Sequence, residues 1–198
     1  MNTRFFAAAA VVLAAPAAAQ NVPEAKVAVV DTDRISRECT ACRAATSQIQ
    51  AQANTLRTRA QTLQQQLQTQ GQPIQQAVAA LNGRQPDAAL QGRITAYRTQ
   101  ENNAAQEIQR GEQNLRSITA NVQQQIGSRL QPIINQVMQR RGANVAVDQG
   151  STLAHASQLN ITQDVLTELN RQLPSVSVTP LPQQPAQAQP QQPRPQGR

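Results

Sequence analysis

Tryptophan is absent from this 198-residue chain and aromatics make up 2% of it, so the bulky side chains that normally fill a globular core are missing. A compact layered monomer is therefore not expected. One histidine, His155, and two cysteines, Cys39 and Cys42, cannot complete a tetrahedral metal set within one copy of the chain. No carboxylate pair, nucleophile beside a base or phosphate-cradling glycine loop stands out. The sequence points away from an enzyme and implies no cofactor. Every cation except Lys26 is arginine, whose planar head pairs with carboxylate or phosphate or lies on an aromatic face.

Long apolar runs are lacking too, with one exception at the start. Met1 to Arg4 gives a short positive segment, Phe5 to Ala15 an apolar run, and Ala17-Ala18-Ala19 a small-residue cleavage site. Residues 1–19 are expected to be a signal peptide cut before Gln20, because the run is too short for a stop-transfer helix. An exported, soluble protein follows, with the periplasm as its expected place. An uncleaved anchor is the rival reading of the same segment.

What the chain does have is helix-compatible sequence. Ala41 to Leu81 and Asp87 to Arg141 flank the breaker Asn82-Gly83-Arg84-Gln85-Pro86, which predicts an antiparallel helical hairpin, an arm over 41–141 with its tip at 82–87. Ile49, Ala53, Leu56, Ala60, Leu63, Leu67, Ile74, Ala77 and Leu81 repeat in steps of four and three, or of seven, along one stripe. Leu90, Ile94, Tyr97, Ala104, Ile108, Leu115, Ile118, Val122, Ile126, Leu130, Ile133 and Val137 answer from the second helix. Glu101 and Gly111 fall on that seam and should interrupt it, while Pro73 and Pro132 predict kinks. Gly71-Gln72-Pro73 is a rival site for the tip, but the sequence after it returns to the same seam.

Short β-branched runs lie outside both ends of the arm. Val27 to Val30 and Ala143 to Val147 read as strands, and Thr152 to Ala156 as a third. Asn160-Ile161-Thr162 begins a last helix carrying Val165, Leu166, Leu169 and Leu173, which Pro174 ends. Residues 20–40 and 142–173 thus form a β-rich body, and 174–198 a disordered Pro/Gln-rich tail. The fold class is mainly α with a small β body, from which a long antiparallel coiled-coil hairpin projects. Strands this short cannot support such an arm alone, so self-association of the body is expected.

Charge divides along the same line. Residues 41–141 hold eleven arginines against four carboxylates, a net of +7, whereas the two body segments hold four cations against seven carboxylates, a net of −3. A positive arm aimed at an acidic partner is the reading of the whole, although any single arginine reads as ordinary solvated surface.

Lys26 to Asp31, Asn82-Gly83, Asn144 to Asp148 and above all Asn160 to Leu166 occur in an order and at separations that resemble the Skp/OmpH family of periplasmic chaperones. The likeness covers the mature chain except its tail. It implies a homotrimer whose three hairpin arms enclose a cavity and hold unfolded outer membrane proteins without ATP. The candidate contacts with clients are Arg57, Arg59, Arg84, Arg93, Arg98, Arg110 and Arg116. The alternative is a basic coiled-coil envelope protein binding an anionic membrane surface or lipopolysaccharide; export argues against nucleic acid. Cys39-Thr40-Ala41-Cys42 departs from the family pattern. A structural disulfide, free or intersubunit thiols, and redox or metal chemistry all remain open for it.

Overall fold

The computed structural model describes residues 23–182. The leader expected at 1–19 and the tail beyond 182 lie outside these residues. The chain is mainly helical with a small sheet. Strand β1 (Val27–Val30) leads into helix α1 (Thr32–Glu38), then α2 (Thr40–Ala79), α3 (Ala88–Arg140), strand β2 (Val145–Asp148) and α4 (Thr162–Gln172).

β1 and β2 pair in parallel, Val27 opposite Val145 and Val30 opposite Asp148. A parallel pair needs a crossover, and here the whole arm is that crossover. On the other side of β1, Val29 makes a single parallel bridge to Asn160. The expected third strand does not form. Two 3-10 turns, Gln149–Ser151 and Ser157–Leu159, bracket an irregular segment instead. Leu153 in it is fully exposed, whereas Thr152 and His155 are part-buried. His155 sits in a loop, its Nδ1 3.2 Å from the carbonyl of Ala156.

The body's core gathers Val30, Ile35, Cys39, Ile133, Val137, Ile161, Val165 and Leu169. Polar ties fix its corners. The Thr162 hydroxyl, fully buried, accepts the Asp31 N–H at 2.9 Å. The Asp31 carboxylate in turn caps α1 by accepting from Arg34 N at 2.7 Å. Asn144 clamps the chain ahead of β1, accepting from Lys26 N at 2.7 Å and donating to Glu24 O at 2.8 Å. At the arm's base the Arg141 guanidinium reaches the Asp164 carboxylate at 2.6 Å.

The sequence between Asp33 and Ala79 makes two helices rather than one. Cys39 breaks it with ψ near 129°, ending α1 and capping α2. The arm then runs unbroken to its tip, through Pro73 on the way out and Pro132 on the way back. At 1.5 Å per residue α2 is about 60 Å long and α3 about 80 Å. The reversal uses left-handed backbone at Asn82 (φ 46°) and Gly83 (φ 86°), a conformation Asn and Gly tolerate best. Asp87 starts the return helix by accepting from Leu90 N at 2.8 Å.

One boundary needs correction. The tail does not begin free at 174: residues 175–181 lie back along α3, bending at Thr179, with Val176 and Val178 packed on the root of the arm. Two valines at alternate positions give this stretch an apolar face that the Pro/Gln-rich sequence beyond it lacks.

Candidate functional site

The arm's surface is the candidate site, and its character follows from how little two helices cover. Every seam residue expected on α2 is partly buried, yet only Ala41, Cys42, Ala45 and Gly71 are fully so. On α3 the fully buried residues between the tip and the root are Leu90 and Ala104. Leu56, Leu63, Leu67, Ile94, Ile108 and Leu115 stay half-exposed along the shaft. A third helix would be needed to close the seam.

Small residues shape what is left open. Ala60 and Ala104 leave room beside Leu63, Leu67, Tyr97 and Ile108, forming an open hollow of about 510 Å³ rimmed by Gln64, Gln68 and Glu101. A second hollow of about 420 Å³ lies nearer the body, between Leu56, Leu115 and Arg59. A third, about 390 Å³, sits at the tip, where Leu81 and Leu90 are flanked by Arg84 and Arg93. Each combines apolar floor with polar or cationic rim.

The expected interruption at Gly111 is not one. The missing side chain is the socket for Leu56, whose methyls occupy the space a Cβ would need. Gly71 does the same for Tyr97, whose Oη lies 2.8 Å from where a Cβ would stand. Desolvation in that socket, and then the neighbouring Glu101 carboxylate, push the Tyr97 phenol above its ordinary range. At Glu101 the seam does open, into the largest of these three hollows.

The seven arginines are spread over the arm rather than gathered. Arg59 reaches across the hairpin to Glu107, its Nε 2.6 Å from Oε1, and holds that carboxyl below its usual range. Arg116 stands 3.9 Å from Glu112 one turn away. Arg84 donates to the Leu81 carbonyl and Arg110 to that of Gln106. Arg57, Arg93 and Arg98 are exposed and form no ion pair among the described residues. Salt-bridged or not, every one keeps its head at the surface.

Cys39 and Cys42 flank the start of α2, at the root of the arm, and pack into the body's core. Their sulfurs are joined, with Cα atoms 5.1 Å apart, and both residues are buried. Among the described residues no cluster of His, Cys, Asp and Glu could hold a metal ion, and no helix is long and apolar enough to cross a membrane.

The sequence reading missed the i, i+4 row Ser117, Asn121 and Gln125, whose side chains bond to the backbone of residues 177–181. Regular four-residue spacing of amide and hydroxyl side chains was the signal available for it.

Comparison with known proteins identifies the arrangement. The model of the family described as outer membrane protein (OmpH-like) matches residues 26–169. Among solved structures, a candidate outer membrane chaperone (OmpH-like) from Caulobacter crescentus CB15 superimposes with a TM-score of 0.66, at 14% identity, over 83% of this chain and 96% of that one. That likeness is one of fold. No curated protein matches.

Proposed function

The chain belongs to the OmpH-like family, and on that premise we propose that it is a periplasmic chaperone that holds unfolded outer membrane proteins between its arms without ATP. The observation that carries this reading is the half-open seam: apolar side chains exposed in shallow hollows along a shaft with net positive charge. Unfolded barrel proteins expose alternating apolar and polar residues, and many weak contacts suit such a client better than one deep pocket. Several arms in one assembly raise the effective concentration of each contact.

The assembly we propose is a homotrimer joined through the body. Val27 and Val145, paired across the two strands, are exposed, and β2 has a free edge among the described residues. Joining copies there would cover edge and valines together.

The test is light scattering from a barrel protein diluted out of urea. Near-stoichiometric amounts of the mature chain should suppress aggregation, and no suppression at any ratio would overturn the reading. Suppression that requires lipopolysaccharide or another phosphate-bearing ligand would favour the envelope-binding alternative, which the positive arm also supports.

A further inference from the structure

Past Leu173, which is buried in the body, the chain turns back and lies along the root of the arm. The segment is a strap with two faces. Val176 and Val178 are partly buried against the patch made by Ala45, Ile118 and Val122, whereas Ser175, Ser177 and Thr179 are exposed.

The strap is held by its backbone. Gln125 accepts from Ser177 N at 2.9 Å and donates to Ser177 O at 3.0 Å, so one side-chain amide satisfies both groups of one residue. Asn121 Nδ2 donates to Thr179 O at 2.9 Å, and Leu181 N donates to Ser117 Oγ at 2.9 Å. Asn121 also buttresses Gln125, accepting from its Nε2 at 3.1 Å. Residues 177, 179 and 181 thus meet helix residues 125, 121 and 117, two steps of chain for four of helix.

That correspondence has a geometric basis. From Ser177 to Thr179 two extended residues advance about 6.6 Å, close to the roughly 6 Å of four helical residues, and the chain then bends at Thr179 before Leu181 reaches Ser117. Apart from Val176 and Val178 filling the patch, the row takes nothing from the strap's side chains. Any extended segment with apolar residues at alternate positions offers the same atoms.

We propose that the Ser117–Asn121–Gln125 row and the apolar patch beside it are a binding site for extended polypeptide, that residues 175–181 are its resting occupant, and that a client segment enters by displacing them. The client side of this rests on the holdase reading above, since strands of barrel proteins carry the required alternation. Tethering one residue beyond the core gives the strap a high effective concentration, enough for individually weak contacts to keep it in place. The strap therefore screens the site against weak ligands and yields to segments that bind elsewhere on the arm as well.

The experiment measures anisotropy of a fluorescein-labelled peptide with the sequence of residues 174–182, added to the full mature chain. Ser177→Pro removes the N–H that Gln125 accepts, and Val176→Ser with Val178→Ser removes the apolar anchors. Each change should expose the site and tighten peptide binding about tenfold, as expected if the wild-type site is about one-tenth free. Adding Asn121→Ala and Gln125→Ala should abolish the gain, and N-methylating the peptide at the Ser177 and Leu181 nitrogens should abolish binding. Ser177 is exposed, so its variant answers the question even if the double valine variant fails to fold. Unchanged affinity in the loosened variants, or equal binding of the N-methylated peptide, would overturn the proposal. If no form protects a barrel protein while the peptide results hold, the holdase reading fails and the peptide site stands without its client. If all forms protect equally and the peptide results are negative, the strap proposal falls alone.

Discussion

Glycine in a helix ordinarily costs about 1 kcal/mol relative to alanine, but the four inside these helices are not equivalent. Nothing lies within 4 Å of a Cβ added at Gly92 or Gly127. Alanine at either should stabilise the chain by about 1 kcal/mol in urea denaturation. At Gly71 and Gly111 the Cβ would enter the space held by Tyr97 and Leu56. Overpacking of about 1–3 kcal/mol then outweighs the propensity gain, so alanine there should destabilise. Another residue with a decisive environment is Asp148. Its carboxylate is held below the ordinary 3.8, first by the Thr32 hydroxyl 2.7 Å away and then by backbone N–H groups. A carboxylate depressed in the folded state contributes stability that is complete above its unfolded value and is lost as pH falls through the folded one. Glu168, held down to about 2 by Arg171 and Gln172, acts in the same direction. Acid unfolding should therefore begin below about pH 4. Thr32→Val should cost about 1 kcal/mol at neutral pH and flatten that acid dependence, as measured by circular dichroism.

The elements differ in how openly the sequence declares them. Both arm helices, the tip at Asn82-Gly83 and the seam from Ile49 to Leu81 are legible because an exposed two-helix contact has a single period and a single breaker. The break at Cys39 is not, because α1 and α2 continue the same helix-compatible composition and only tertiary packing of Ile35 and Cys39 separates them. The strap is illegible for a related reason: proline-rich sequence signals lack of structure, and its order comes from Ser117, Asn121 and Gln125 more than 50 residues away. Of the candidate site, the arginines could be read from the sequence, whereas the hollows depend on which alanines face one another across the hairpin. The Cys39–Cys42 bond bears on the α1–α2 junction alone. Closing so short a loop is worth about 2 kcal/mol by chain entropy. Cys39→Ala with Cys42→Ala should lower the unfolding free energy by about that amount and leave aggregation suppression unchanged. A loss of suppression by the folded variant would reopen a chemical role for the pair.

For the whole molecule, charge and coverage work together. The body is net negative and tightly packed, while the arm is net positive and leaves its apolar stripe half open. In the proposed holdase, a positive shaft would attract an acidic client over distances of about a Debye length, roughly 8 Å at physiological salt, and the stripe would hold what the charge had gathered. The central claim is that holding happens on the shaft. It is tested most directly by placing a photo-crosslinking amino acid at Gln64 on the arm and, separately, at Gln163 on the body, then irradiating the complex with an unfolded barrel protein. Crosslinks should form from Gln64 and be absent or scarce from Gln163. Crosslinks from Gln163 with none from Gln64 would contradict the account.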